Sequence, residues 1–170
     1  SQQVGDRSAL MATYRLLSNA KVSGAQLTEP HRRRTQQLAA QEAVTLLIQD
    51  RTSLDYSSHH RRTAGLGEIS TVRERRGILL HSVLAVSGHS HQVLGLAHFE
   101  QIIRDPNRTP KRGRKRSSSA EGQAWEKAVQ AIGPVPHGAV WVYVSDRESD
   151  IYEYLTTCLA HGADFVVRAF

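Results

Sequence analysis

Two aspartates follow short apolar runs that are typical of buried strands. Asp50 follows residues 44–49, and Asp146 follows residues 139–145. A carboxylate at the end of a core strand is costly unless a cation compensates for its desolvation. Carboxylate oxygens are the ligands that Mg²⁺ prefers, and metal-dependent phosphodiester cleavage needs carboxylates on rigid elements. The pair therefore predicts a shared Mg²⁺ site that acts on nucleic acid, with Asp50 and Asp146 as catalytic metal ligands.

The composition agrees with an anionic partner and limits the other classes of site. The chain has 170 residues and a formal charge of +6, with a pI near 9.9, and a basic balance favours nucleic acid. A single cysteine, Cys158, excludes an internal disulfide and a cysteine-rich zinc site. No stretch approaches the ~20 apolar residues of a membrane span, and we read no signal peptide. These features favour the reducing cytoplasm and no membrane partner.

The first half of the chain predicts two helices and then three strands. Helical spacing covers residues 6–19, and a second helix is expected from Thr28, with Pro30 in its first turn, where proline is tolerated. Apolar runs at 44–49, 77–87 and 93–103 then predict a three-strand antiparallel meander. A polar loop, residues 55–74, separates the first two strands.

The second half alternates helices and strands. A helix over 119–132 is stopped by Gly133, and strand 139–145 delivers Asp146. The helix over 151–159 has an apolar stripe, which we expect to be core. For this helix we expect Asp150 as the N-cap and Gly162 near the C-cap. Strand 164–168 follows, and a strand–helix–strand unit implies parallel pairing.

This order predicts an α/β fold with a ribonuclease-H-like mixed sheet. The antiparallel meander comes first, and helix, strand, helix and strand follow it. This order also divides the sequence into a short N-terminal helical segment, residues 1–43, and an α/β domain, residues 44–170. Sites in open α/β sheets collect beyond the carboxyl ends of parallel strands, where Asp146 is expected.

Basic side chains near the predicted metal site are candidates for DNA contact. A run of five positive charges lies in a predicted loop between residues 111 and 116, where it is either a solvated tract or a clamp for phosphates. His81 lies within a strand, and we expect it in the core rather than on a metal. The candidate DNA-binding residues are Arg51, Arg61, Arg62, Lys111, Arg112, Arg114, Lys115, Arg116 and Arg147.

Ordered motifs along most of the chain resemble one known family. Residues 146–153 read Asp-Arg-Glu-Ser-Asp-Ile-Tyr-Glu, and residues 49–52 read Gln-Asp-Arg-Thr. These two segments resemble the second-aspartate and first-aspartate motifs of the IS-four, or Tn-five-like, family of bacterial DDE transposases. Glu121 and Trp125 keep the spacing of a further family element. Additional segments similar to the family are residues 65–67, 76–82, 94–96 and 165–169.

The resemblance implies Mg²⁺-dependent cut-and-paste transposition on a ribonuclease-H-like core, with Mn²⁺ able to substitute. The implied partner is double-stranded DNA at the terminal inverted repeats, bound by a homodimer in the nucleoid of a bacterial cytoplasm. Arg51 departs from the family, which more often has a small hydroxyl residue there, and Gly122 replaces a usual serine. The family's third carboxylate sits in a later Tyr–Arg–Glu–Lys segment. The resemblance thus implies that residues 1–43 are a remnant of the N-terminal DNA-binding region and that residues 44–170 are a catalytic domain incomplete at its C-terminus. We therefore expect this chain to be the middle of a longer protein and to be inactive alone.

Two alternatives remain open at this point. One is a ribonuclease-H-like nuclease that only hydrolyses, which the strand order does not distinguish. The other is a non-catalytic DNA-binding or inhibitory protein derived from a truncated transposase. Translation of the DNA beyond Phe170 separates them from the transposase, because a tyrosine, arginine, glutamate and lysine at short helical spacing are expected only in the intact enzyme.

Overall fold

The computed structural model describes residues 6–58, 63–69, 75–107 and 120–168, which form an α/β arrangement around one mixed sheet. The helices are α1 (Arg7–Leu17), α2 (Gly24–Ala39), α3 (Ala120–Ile132) and α4 (Tyr152–Ala160), with a short 3₁₀ helix at Arg147–Ser149. The strands are β1 (Val44–Asp55), β2 (Gly77–Ser87), β3 (Val93–Ile102), β4 (Val140–Ser145) and β5 (Asp164–Val167).

The five strands form one sheet in the order β3-β2-β1-β4-β5. The first three strands are an antiparallel meander, as predicted, and β4 is parallel to both β1 and β5. The β1–β4 pairing begins at Val44–Val140 and ends at Ile48–Val144. Because parallel neighbours run in the same direction, the carboxyl ends of β1, β4 and β5 point to the same side of the sheet.

One face of the sheet carries the hydrophobic core. Side chains from β1, β2 and β4 alternate onto this face, and α2, α3 and α4 contribute the side chains that cover them. Trp125 of α3 contacts the ring of Tyr154 of α4 edge-on, with 6.2 Å between ring centroids. The largest fully buried side chains are Trp125, Tyr143, Tyr154, Leu47 and His81.

The opposite face of the sheet remains apolar but more accessible. Val44, Ile48, Val140 and Val166 alternate with the core residues and are exposed. Asp50 lies two residues after Ile48 on the same strand, so it is on the same face of the sheet, and it is exposed as well. Among the residues that the structure describes, no helix is long and apolar enough to cross a membrane.

The N-terminal end of α2 differs from the prediction. The helix begins at Gly24 rather than near Thr28, because Ser23 and Gln26 form a capping box that satisfies the first backbone N–H groups. Pro30 therefore lies inside the helix and not in its first turn. The buried side chains of α2, Thr35 and Ala39, face the sheet, while the division between residues 1–43 and 44–170 stays a prediction.

The structure also corrects two details near the second aspartate and confirms a third. The N-cap of α4 is Ile151, not Asp150, which instead ends the 3₁₀ helix. Within the predicted core stripe of α4, Tyr154 and Cys158 are buried, but Leu159 is exposed. Gly162 has a φ of +75° just beyond α4, which confirms its place at the helix C-terminus.

Candidate functional site

The two predicted catalytic aspartates occupy corresponding positions just beyond the last paired residues of two neighbouring parallel strands. The β1–β4 register ends at the pair Ile48–Val144, and Asp50 and Asp146 each follow two residues later. Both aspartates are exposed, and they continue the sheet face that is opposite the helices. The shared metal site at Asp50 and Asp146 stays a prediction.

Asp50 does not end its strand, which corrects the sequence interpretation. β1 continues to Asp55, and its pairing with β2 includes Asp50 opposite Ser82. The pairing with β4 stops at Ile48, so Asp50 lies where β1 runs past the end of β4. The backbone of β2 therefore fixes Asp50, while the side towards β4 opens onto the turn that follows Ser145.

Asp146 has extended backbone and caps the 3₁₀ helix that follows β4. Its φ is −80° and its ψ is −179°, so it continues the direction of the strand. Its Oδ1 accepts a hydrogen bond of 2.8 Å from the N–H of Glu148. The cap orients the carboxylate at the sheet edge, and capping alone is a sufficient structural reason for an aspartate at this position.

An ion-pair network lies on the helix-covered face of the sheet, opposite the face that carries Asp50. Arg51 donates to Glu121 Oε2 at 3.1 Å and also to Glu148 Oε2. Arg104 donates to both carboxylate oxygens of Glu121, at 2.7 and 2.8 Å, and to the carbonyl of Glu68. The hydrogen bonds that Arg104 donates to Glu121 raise the pKa of Arg104. The network joins β1, the end of β3, the start of α3 and the 3₁₀ helix.

Sequence reasoning identified only part of this network. Arg51 was predicted to contact DNA, but its side chain is 19% exposed and is held by two carboxylates. Glu121 was noted only for its spacing from Trp125, and Arg104 was not singled out. A glutamate at the start of a helix is an ordinary surface residue in sequence, so no local signal predicts these contacts.

The remaining DNA-contact predictions fall mostly on residues outside the described ranges. Arg147 is exposed and immediately follows Asp146. The positions outside the described residues are Arg61, Arg62, Lys111, Arg112, Arg114, Lys115 and Arg116.

His81 is a core residue, as the sequence predicted. It is fully buried and its ring contacts Trp125 edge-on, with 4.6 Å between centroids. Burial, followed by the positive charges of His98 and Arg51, lowers its pKa to about 4. The imidazole is therefore neutral at pH 7, and it lies on the helix-covered side of the sheet, away from Asp50.

The site offers two carboxylates rather than three to a metal ion. Within the described ranges, no group of three or more histidine, cysteine, aspartate or glutamate side chains could hold a metal. Mg²⁺ commonly uses one or two protein carboxylates and completes its shell with water and substrate phosphates. Asp50 and Asp146 match that donor set. No protein-family model matches the sequence.

Proposed function

We propose that the chain belongs to a DDE-type DNA transposase and supplies two carboxylates of its catalytic metal site. The observation that carries the proposal is the parallel β1–β4 register, whose last pair, Ile48–Val144, lies two residues before Asp50 and Asp146. Both side chains are exposed at the carboxyl end of β4, where sites in open α/β sheets are found. The proposed reaction is metal-dependent cleavage and strand transfer at transposon ends.

The strand order supports the ribonuclease-H-like part of the proposal. An antiparallel meander followed by two parallel strands, in the order β3-β2-β1-β4-β5, is compatible with a ribonuclease-H-like sheet. β1 lies between β2 and β4, and Asp50 pairs with Ser82 of β2 two residues beyond the last β1–β4 pair. The proposed family adds the substrate, double-stranded DNA with terminal inverted repeats.

The residues at the site suit Mg²⁺, with Mn²⁺ as a substitute. When bound, the cation lowers the pKa of water and stabilises charge on phosphate oxygens. Asp50 and Asp146 would hold it through hard oxygen ligands. The 3₁₀ cap orients Asp146, and the pairing with β2 fixes the backbone of Asp50. Exposure of both side chains leaves room for a DNA phosphate to approach.

A non-catalytic DNA-binding protein is the second candidate. The absence of a third metal-ligating side chain near Asp50 and Asp146 in the described part of the chain favours it. The capping role of Asp146 also gives that residue a purpose without a metal. The two candidates differ in one measurable property, which is whether DNA binding depends on the cation.

The test measures DNA affinity with and without Mn²⁺. A phosphate that completes the shell of a cation bound to both aspartates couples the two binding events, and each ligand must then strengthen the other equally. We expect Mn²⁺ to tighten the binding of a double-stranded DNA by about tenfold, within the usual range of such coupling. Fluorescence anisotropy with a labelled duplex, at constant ionic strength, gives the dissociation constants.

Three variants make the result specific. Asp50→Asn and Asp146→Asn are each expected to remove the Mn²⁺ effect, while the loss of a negative charge is not expected to weaken metal-free DNA binding. Asp164→Asn is the matched control, because Asp164 is an exposed aspartate of the same sheet at the opposite, amino end of β5. DNA binding with no Mn²⁺ effect in the unsubstituted chain contradicts the transposase proposal and leaves the DNA-binding candidate.

A further inference from the structure

A chain of polar side chains crosses the core between the two aspartate-bearing strands. His81 Nε2 lies 2.9 Å from Gln49 Oε1, and Gln49 Nε2 donates to the hydroxyl of Tyr154 at 3.4 Å. The hydroxyl of Tyr154 is 3.4 Å from Ser145 Oγ, which is 2.6 Å from Ser149 Oγ. Ser149 Oγ donates to the carbonyl of Asp146 at 2.8 Å.

The hydrogen bond from Ser149 to the carbonyl of Asp146 determines which group donates in each of the other hydrogen bonds of this series. Ser149 uses its only hydroxyl proton on the carbonyl of Asp146, so Ser145 must donate to Ser149. The proton of Ser145 is then committed, and Tyr154 must donate to Ser145. Gln49 donates its amide N–H to Tyr154.

The direction also defines the state of His81. The Oε1 of Gln49 accepts, so the N–H of His81 is on Nε2. Nδ1 is then a bare acceptor, which agrees with its lack of a hydrogen-bond partner among the described residues. The opposite amide orientation of Gln49 would bury an unpaired N–H of His81, which is costly.

We propose that the chain from His81 to the Asp146 carbonyl positions Asp50 and Asp146 for cation binding. Gln49 directly precedes Asp50, and Ser145 and Ser149 flank Asp146 on either side. Gln49, Tyr154 and Ser149 are buried, so a shift of β1 against β4 would leave buried polar groups unpaired. The inference rests on the proposed metal site, since positioning matters only if a cation binds there.

A neighbouring tyrosine offers a matched control. Tyr143 is buried, and its ring centroid lies 6.4 Å from that of Tyr154. Its hydroxyl has no hydrogen-bond partner among the described residues. Tyr143→Phe and Tyr154→Phe therefore each remove one phenolic hydroxyl from the same core, but only Tyr154→Phe interrupts the series of hydrogen bonds.

The experiment is an Mn²⁺ titration of the full 170-residue chain, followed by NMR. Paramagnetic broadening of the amide signals of Asp50 and Asp146 gives both the place and the dissociation constant of the ion. Loss of supporting partners weakens metal sites by roughly tenfold or more, so we expect that effect for Tyr154→Phe. Tyr143→Phe is expected to bind Mn²⁺ as the unsubstituted chain does.

Further measurements separate positioning from stability. Urea unfolding shows whether each variant is folded. If Tyr154→Phe does not fold, Ser145→Ala interrupts the same series of hydrogen bonds at a half-buried residue. The ¹⁵N shifts of His81 report its tautomer, with the proton expected on Nε2. Equal Mn²⁺ affinity in folded Tyr154→Phe, or in Ser145→Ala, and in Tyr143→Phe overturns the positioning role alone. Absence of broadening at Asp50 and Asp146 in the unsubstituted chain overturns the metal site itself.

Discussion

Arg51 donates to Glu148, although the two residues are 97 positions apart in sequence. Arg51 follows Asp50 on β1, and Glu148 lies two residues beyond Asp146 in the 3₁₀ helix. The pair therefore connects the segments that carry the two aspartates, on the side of β1 that faces the helices. Glu121 shares the same guanidinium and extends the connection to α3.

The first prediction concerns the strength of this connection. The side chains of Arg51 and Glu148 are 19% and 36% exposed, so solvent screens the pair only in part. We expect Arg51→Met to lower the free energy of unfolding by about 1–2 kcal/mol, between the values for exposed and buried pairs. A double-mutant cycle with Glu148→Gln, measured by urea unfolding, isolates the coupling.

An exposed pair on α2 is the control for that cycle. Arg33 and Glu29 form a salt bridge of 2.7 Å with one helical turn between them, and Arg33 is 74% exposed. Solvent and side-chain entropy weaken such pairs, so the same cycle at Arg33 and Glu29 is expected to show no resolvable coupling. Equal coupling at the two sites would mean that burial contributes nothing to the Arg51–Glu148 pair.

The strands of the sheet could be predicted because their apolar residues mark the positions that are buried. The alternation in β1 and β4 reflects one covered face, and the two runs have a similar length before each aspartate. The second half of β1 was missed because Arg51, Thr52 and Ser53 are polar, whereas β2 pairs with their backbone regardless of side chain. Backbone pairing at such positions leaves no pattern of apolar residues.

The ion-pair network could not be derived from local sequence. Arg51 and Glu121 are brought together by the complete sheet and helix packing, and their separation of 70 residues carries no periodic signal. The start of α2 was different, because Ser23 and Gln26 have the spacing of a capping box and were readable. Pro30 gave the competing signal for a later start.

The second prediction is a loss of stability in mild acid caused by His81. Its folded pKa is about 4, against an ordinary value of 6.5, because burial disfavours the charged form. The unfolded chain therefore binds the proton first, and stability is complete above pH 6.5 and declines as the pH falls. Between pH 6.5 and pH 5 we expect a decrease of about 1.5 kcal/mol from this residue.

Urea unfolding at intervals of half a pH unit measures this dependence. His98 contributes in the same direction, because burial lowers its pKa as well. His81→Gln keeps a polar group beside Gln49 but does not titrate, so its pH dependence should be shallower by about one proton. A stability that is constant from pH 7 to pH 5 in the unsubstituted protein would contradict a buried neutral His81.

The third prediction concerns the contact of α2 with β3 at Gly95. This glycine has a φ of +148°, and an added Cβ would collide with Oγ1 of Thr35 and approach the ring of His31. The ring of His31 also accepts a hydrogen bond from the N–H of Leu96 at 3.0 Å. We expect Gly95→Ala to lower the free energy of unfolding by about 3 kcal/mol through strain and overpacking.

Gly133→Ala separates the two causes. Gly133 also has a positive φ, of +90°, but no atom lies within 4 Å of its added Cβ. Backbone strain alone is expected to cost about 1–2 kcal/mol there. Thermal or urea unfolding of both variants gives the difference, and equal losses would show that α2 does not press on β3 at Gly95.

The last prediction uses Cys158 as a reporter of the core. Cys158 lies on the buried face of α4, and burial raises the pKa of its thiol to about 11. Since the thiolate is the reactive form, a disulfide reagent at pH 8 should not label the folded protein on the time scale in which it labels an unfolded control. Labelling should follow unfolding as urea is increased, with the same midpoint as circular dichroism. Rapid labelling of the folded protein would show that α4 opens locally. It would contradict stable packing of Tyr154 and Cys158 in the core.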